Sequence, residues 1–298
     1  MNFLLASTLT VTLLGTGNPR PSMERFGPST LVEAGEHSIL IDAGRGALQR
    51  LFQIGASAQV REIDGVVLTH LHSDHVVGLS DLWLTSWIFG RDRAFEVLGP
   101  AGTKAMCEHL FEAYAFDRKV RAFQYDPDGI VLQARDVEPG IVFEEDGLRI
   151  LAFAVEHGGG VEPAYGYRVE FGGRSVAFSG DTRYFEGLVE HARGVDVLVH
   201  EVISPDVELR SAQVVTEDAV QSILAQHASP EQVGIIFARV KPRLAVYSHI
   251  VPSPTVAEDL IPPTRKHYDG PLVVGYDLMT IEIGDAIDVY PRSTVPDK

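Results

Sequence analysis

The feature that most constrains this chain is a cluster of three histidines and one aspartate in the segment HLHSDH at positions 70–75. The cluster follows the apolar run GVVL at 65–68, which predicts a buried strand. It precedes residues 76–89, whose apolar positions recur at helical spacing. We therefore expect it on the loop at the carboxyl end of a strand, where α/β proteins place their chemistry. Imidazole and carboxylate groups suit zinc, iron and manganese, so the segment predicts a metal site.

Further polar residues stand where other predicted strands end. His157 follows an apolar run at 150–155 and precedes three glycines, and Asp181, the pair His200 and Glu201, and His249 follow three more runs. Each one alone is as typical of a hydrogen-bonded residue at a strand end as of a ligand. Because the same placement recurs beside the histidine cluster, we interpret these residues together as one shared site.

The arrangement of predicted elements indicates an α/β fold. Both halves of the chain begin with strands and continue with strand–helix units, and the second half starts near residue 141. Two mixed sheets covered by helices would satisfy that order. Ser229-Pro230-Glu231-Gln232 has the pattern of a capping box and predicts a helix from there to about Val240. No low-complexity linker divides the chain, so we expect residues 1–298 to form a single domain.

Composition and charge narrow the possible partners. The chain has 25 basic and 41 acidic residues, a formal net charge of −16, which disfavours a nucleic-acid partner without excluding one. A single cysteine, Cys107, excludes an intramolecular disulfide and is interpreted as a small core residue. No apolar run has the length of a membrane span, and the N-terminus lacks a convincing cleavage site, so a cytoplasmic location is expected.

The chain resembles the metallo-β-lactamase superfamily, in its ribonuclease Z and arylsulfatase-like branch. The cluster at 70–75 carries the likeness to the superfamily, and the His-Glu and His-x-Ser elements carry the likeness to the branch. The other matching elements are Leu14-Gly15-Thr16-Gly17-Asn18-Pro19, Ile41-Asp42-Ala43-Gly44, His157, Ser179-Gly180-Asp181-Thr182, His200-Glu201, His227-Ala228-Ser229 and Ser248-His249. The resemblance implies an αββα four-layer sandwich of two mixed β-sheets flanked by helices, with two divalent metal ions in a groove at one edge.

The resemblance also implies roles for individual residues. The metal ligands would be His70, His72 and His157 for one ion and Asp74, His75 and His249 for the second, with Asp181 bridging both. The catalytic residues would be Asp74, Glu201 and His227, the last two paired near the scissile bond. Asp42 would orient a ligating histidine. Zinc is the expected metal, and manganese or iron would also suit this set of ligands.

The expected reaction is hydrolysis of an ester-type bond through a hydroxide shared by the two ions. The hydroxide would attack phosphorus, sulfur or a carbonyl carbon, and His227, polarised by Glu201, would protonate the leaving group. A phosphodiester or sulfate ester is the favoured substrate, as in a phosphodiesterase or an arylsulfatase-like enzyme. A tRNA 3′-processing endoribonuclease, a lactonase or β-lactamase, and a non-catalytic binding module are the alternatives.

The expected class of substrate depends on the length of the segment between His157 and Asp181 and on the distribution of basic residues. Ribonuclease Z enzymes commonly carry a Gly/Pro-rich arm between the residues that match His157 and Asp181, and here that interval has room only for a turn and a hairpin. The longest basic group, Arg118-Lys119-Val120-Arg121, is short and typical of a solvated helix end. We therefore expect a small-molecule ester substrate, with nucleic acid unlikely and no membrane partner. A homodimer is suggested by resemblance alone.

Overall fold

The computed structural model describes residues 8–55, 59–211 and 216–291. The strands are β1 (Leu9–Gly15), β2 (Ser29–Ala34), β3 (His37–Ile41), β4 (Gly65–Val67), β5 (Phe95–Gly99), β6 (Leu132–Asp136), β7 (Gly140–Glu145), β8 (Leu148–Val155), β9 (Ala164–Phe171), β10 (Arg174–Phe178), β11 (Val197–Ile203), β12 (Leu244–Val251), β13 (Leu272–Val274), β14 (Met279–Ile283) and β15 (Ile287–Tyr290). They form an eight-stranded sheet in the order β15-β14-β1-β2-β3-β4-β5-β6 and a seven-stranded sheet in the order β13-β12-β11-β10-β9-β8-β7.

Helices cover the outer faces of both sheets. The α-helices of the described residues are α1 (Ala47–Gln53), α2 (Ser73–Val76), α3 (Leu79–Ile88), α4 (Thr103–Ala113), α5 (Ala115–Arg121), α6 (Glu186–His191), α7 (Pro205–Ser211), α8 (Glu217–Gln226), α9 (Pro230–Val240) and α10 (Ala257–Thr264). The predicted capping box at Ser229 and Gln232 is present and begins α9. Within the described ranges, no helix combines the length and the apolar content that crossing a lipid bilayer requires.

The buried side chains form three clusters that define four layers. Val11, Ile41, Val176 and Val246 belong to the cluster between the two sheets. A second cluster joins the eight-stranded sheet to helices α1, α3 and α4, and a third joins the seven-stranded sheet to α6, α9 and α10. The predicted αββα sandwich of two mixed sheets is confirmed, since each sheet buries one face against the other sheet and the opposite face against helices.

The predicted helix over 76–89 begins only at Leu79, as α3, and Gly78 separates it from the short α2 that ends at Val76. A Cβ atom at Gly78 would lie 2.4 Å from the Gly44 carbonyl oxygen, and the Gly78 amide donates to the Ala43 carbonyl at 2.8 Å. The glycine lets the histidine-bearing segment pack directly on the loop that follows β3. Trp83 and Trp87, on α3, are fully buried in the core.

The directions of the strands place the predicted site residues at one edge of the molecule. β3 and β4 run parallel in one sheet, and β10, β11 and β12 run parallel in the other. β8 lies antiparallel to β9, which is antiparallel to β10, so the carboxyl end of β8 reaches the same edge as that of β10. The residues that follow β4, β8 and β10 therefore meet those at the end of β11 and within β12.

Cys107 lies on α4 with a side chain that is 1% exposed, and burial raises the pKa of its thiol to about 12. Because the thiolate is the reactive form, we expect no labelling of the native protein by a thiol-specific disulfide reagent at pH 8. In guanidinium chloride, one thiol per chain should react within minutes. Absorbance of the released chromophore measures both states, and rapid stoichiometric labelling of the native protein would contradict the packing described for α4.

Candidate metal centre

Asp42 fixes the loop that carries the histidine cluster. It follows β3, and its carboxylate accepts the Thr69 amide at 2.8 Å and the Thr69 hydroxyl at 2.9 Å. The third contact of the carboxylate is His75 Nδ1, at 2.8 Å. Since a carboxylate only accepts, Nδ1 of His75 carries a proton, so Nε2 is the nitrogen of this ring that is available to a metal.

Three histidines bring one nitrogen each to a common point. His72 Nδ1 lies 3.1 Å from His70 Nε2 and 3.2 Å from His157 Nε2. The Thr69 hydroxyl gives its only proton to Asp42, so its oxygen accepts from His70 Nδ1 at 3.1 Å. His157 Nδ1 donates to the Gln226 carbonyl at 3.2 Å. The hydrogen bonds at Nδ1 of His70 and of His157 leave Nε2 of each ring unprotonated, which is the form that binds a metal.

A second group of donors lies beside the first. Asp74 Oδ2 is 3.6 Å from His75 Nε2 and 3.3 Å from His249 Nε2. Asp181 Oδ2 is 3.4 Å from His75 Nε2 and 3.3 Å from His249 Nε2. The same Asp181 oxygen is 3.9 Å from the Nε2 atoms of His70 and His157, so it lies between the two groups.

These distances fit metal ligands. A tetrahedral ion with bonds of about 2.0–2.2 Å holds its donor atoms about 3.3–3.6 Å apart. His75 Nε2 and Asp181 Oδ1 are buried and have no hydrogen-bond partner within the described part of the chain. Leaving such atoms unpaired would be costly, and a cation beside them would satisfy them.

The electrostatics of the cluster favour a cation as well. Burial disfavours the ionised form of Asp181, yet His249 and His75 together hold its pKa well below the ordinary value. Burial likewise opposes protonation of His75, yet the Asp181 and Asp42 carboxylates raise its pKa well above the ordinary value. Burial and the neighbouring His75 lower the pKa of His70 well below its ordinary value, so this imidazole is neutral. The buried carboxylates therefore attract positive charge, which in the metal-free protein is a proton on His75 that a metal ion would displace, while the neutral His70 can coordinate a metal directly.

Glu201 and His227 form a buried pair beside the donors. His227 Nδ1 lies 3.2 Å from Glu201 Oε2, and Glu201 Oε1 accepts the Ala228 amide at 2.9 Å. Burial lowers the pKa of His227, but the Glu201 carboxylate outweighs it and raises the pKa to about 9. The His227 ring centroid is 5.3 Å from that of His157 and 5.8 Å from that of His249, so the ring borders both donor groups.

The structure brings the predicted site residues together, and among their histidines His200 alone lies outside the donor groups found in the described residues. The His200 ring is fully buried and its Nδ1 donates to the Glu201 carbonyl at 2.7 Å, so it supports the strand end. The sequence did not indicate the part played by Gln226, because a backbone carbonyl has no residue-specific pattern. Between His157 and Asp181 the chain forms the hairpin β9–β10, joined by Gly172-Gly173, as expected.

The chain is similar to known proteins over almost its whole length. The profile of the β-lactamase superfamily domain matches residues 37–250. The ribonuclease Z of Mycolicibacterium gilvum is 33% identical over 290 residues, which covers 94% of this chain and 98% of that protein. The ribonuclease Z of Mycobacterium bovis is 34% identical over 284 residues, 92% of this chain and 98% of that protein.

The expectation of a small-molecule ester substrate, with nucleic acid unlikely, is therefore wrong, because relatives that match end to end are ribonucleases. It rested on the short interval between His157 and Asp181 and on the net charge of −16, and that charge is an average over the whole surface which does not describe the potential inside the groove. Divalent ions held by the donor cluster would add positive charge at the point where a phosphodiester must approach.

Comparison with solved structures supports the same fold. The short form of human tRNase Z superposes with a TM-score of 0.68 at 19% identity, covering 91% of this chain and 98% of that one. The match to the superfamily domain and the similarity to ribonuclease Z, together with the donor cluster, establish the family to which the chain belongs. The chain belongs to the metallo-β-lactamase superfamily, in its ribonuclease Z branch, and is a metal-dependent hydrolase of ester bonds.

Proposed function

We propose that this protein is an endoribonuclease of the ribonuclease Z type, which cleaves a phosphodiester bond in tRNA precursors. The observation that carries the proposal is the match to ribonuclease Z over 94% of the chain at 33% identity. The site has what such a reaction needs, namely a buried set of imidazole and carboxylate donors with an acid–base pair at its border.

The proposal assigns two divalent ions, zinc by preference, to the donor cluster. His70, His72 and His157 would hold one ion, Asp74, His75 and His249 the other, and Asp181 Oδ2 would contact both. Ions bound there would lower the pKa of a water molecule and neutralise charge on the phosphodiester that it attacks. The chain's own contribution is to hold the donor atoms rigidly through Asp42, Thr69 and the Gln226 carbonyl.

His227 is assigned the role of proton donor to the leaving oxygen. Its Nδ1 is held by Glu201, so its other nitrogen, Nε2, is the one that can deliver a proton into the groove. Glu201 is itself fixed by the Ala228 amide and by the Thr182 amide at 3.4 Å. The carboxylate therefore orients the imidazole and stabilises its protonated form.

Replacement of Asp181 tests the assignment of the site. Asp181→Asn keeps the shape of the side chain but removes the charge shared by both donor groups, and cleavage of a tRNA precursor should fall by more than about 100-fold. Asp64→Asn is the matched control, because Asp64 is a partly buried carboxylate paired with Arg93, away from the cluster. The measurement is the rate of release of the 3′ trailer from an end-labelled transcript at physiological salt.

Cleavage by wild type and Asp64→Asn, lost in Asp181→Asn, is the expected result. No cleavage by wild-type protein shown to contain two zinc ions would overturn the proposed substrate class. Cleavage by Asp181→Asn at the wild-type rate would overturn the assigned site.

Replacement of His227 tests proton donation. A ribose oxygen is a poor leaving group, so His227→Ala should slow RNA cleavage by about 10²–10⁴-fold. p-Nitrophenolate leaves without a proton, so hydrolysis of bis(p-nitrophenyl) phosphate should fall by less than about tenfold. His109→Ala, on the exposed face of α4, serves as the control. Equal losses on both substrates would contradict the role assigned to His227.

A further inference from the structure

His249 adopts a backbone conformation that needs support from outside its own strand. β11 and β12 pair with His200 opposite Tyr247 and resume with Val202 opposite Ile250, so one residue of β11 faces two of β12. The second residue of this bulge is His249, whose φ is 41°. A left-handed conformation is unfavourable for a residue other than glycine and persists only where the surroundings impose it.

The support comes from the loop that follows β1. The Ile250 amide donates to the Thr16 carbonyl at 2.9 Å, and Asn18 Nδ2 donates to the Ile250 carbonyl at 2.6 Å. Both backbone polar groups of the residue after His249 are thus held by this loop. Asn18 is 2% exposed, and its Oδ1 accepts the Arg20 amide at 3.0 Å, so the orientation of its side-chain amide is fixed.

The loop is anchored in turn by a buried ion pair. Asp277 accepts the Thr16 amide at 2.9 Å, the Thr16 hydroxyl at 2.8 Å and the Phe26 amide at 2.7 Å. The Arg50 guanidinium binds the same carboxylate at 2.8 Å, with both side chains 3% exposed. With its lone pairs occupied, this pair gives Thr16 and Asn18 a rigid base.

We propose that Asn18 is a positioning residue for one of the two metal positions. By clamping Ile250 it holds the bulge of β12 that aims His249 Nε2 at Asp74 and Asp181. The inference rests on the two-metal site assigned under the proposed function. The loop after β1 thus holds one ligand of that site in position.

Replacement of Asn18 should affect only the metal position to which His249 contributes a ligand. His70 is held by the Thr69 hydroxyl and His157 by the Gln226 carbonyl, and neither contact involves the loop after β1. The geometry therefore predicts that loosening the clamp weakens one metal site and leaves the other intact.

The test is titration of the metal-free, full-length protein with Zn²⁺ alone, in competition with a chromophoric chelator. Wild type should bind two ions. Asn18→Ala should bind one ion as tightly as wild type and the second about 10–100-fold more weakly, as expected when the support of a ligand is removed. Thr12→Val is the matched control: Thr12 lies on β1, which leads into the same loop, and its hydroxyl bonds Thr280 on the neighbouring β14, so removing it leaves the clamp in place.

A second variant separates positioning from general stability. Asn18→Asp keeps the size of the side chain but presents an acceptor to the Ile250 carbonyl, so the same single site should weaken. Unchanged affinities in both variants, with only the melting temperature of the metal-free protein lowered, would overturn the inference and leave the proposed function standing. Fewer than two zinc ions bound by wild type would overturn the two-metal assignment and this inference with it.

Discussion

The site is built around one carboxylate oxygen that four imidazole nitrogens approach at once. Asp181 Oδ2 lies 3.3–3.9 Å from the Nε2 atoms of His70, His75, His157 and His249. A buried negative charge is tolerated only when charge and hydrogen bonding compensate it. The two sheets satisfy this constraint together, because Asp181 follows β10 of one sheet while His70 and His75 follow β4 of the other. The sandwich brings strand ends from both sheets to one edge and thereby forms the cluster.

The fold also sets the protonation of the donors, through contacts on their outer sides. The Asp42 carboxylate, the Thr69 hydroxyl and the Gln226 carbonyl each bind the Nδ1 atom of a histidine whose Nε2 faces the groove. The Gln226 carbonyl precedes His227 in the chain, so one short segment at the end of α8 both holds a donor and supplies the proposed acid. The support of the donors and the chemistry of the groove are therefore physically connected.

The sequence predicts the local parts of this arrangement well. The cluster at 70–75 and the polar residues at strand ends can be recognised because each motif lies within a few residues. The break at Gly78 was not predicted, and of α5 only the basic end at Arg118-Lys119-Val120-Arg121 was interpreted as helical. Gly78 owes its role to contact with Gly44, which is distant in sequence, and α5 has no buried residue that would produce an apolar periodicity. The hydrogen bond from Asn18 to Ile250 joins residues 232 positions apart, so it cannot be predicted from the spacing of residues in the sequence. The net charge contributed to the wrong prediction that nucleic acid is an unlikely partner, because it does not describe the electrostatic field inside a groove.

The most direct test of the account is anomalous diffraction at the zinc edge from crystals of the zinc-loaded protein. The account predicts two peaks, about 3.5–4 Å apart, on either side of Asp181 Oδ2. One peak should be surrounded by His70, His72 and His157, and the other by Asp74, His75 and His249. A single peak, or peaks away from Asp181, would contradict the claim that this carboxylate joins two metal positions.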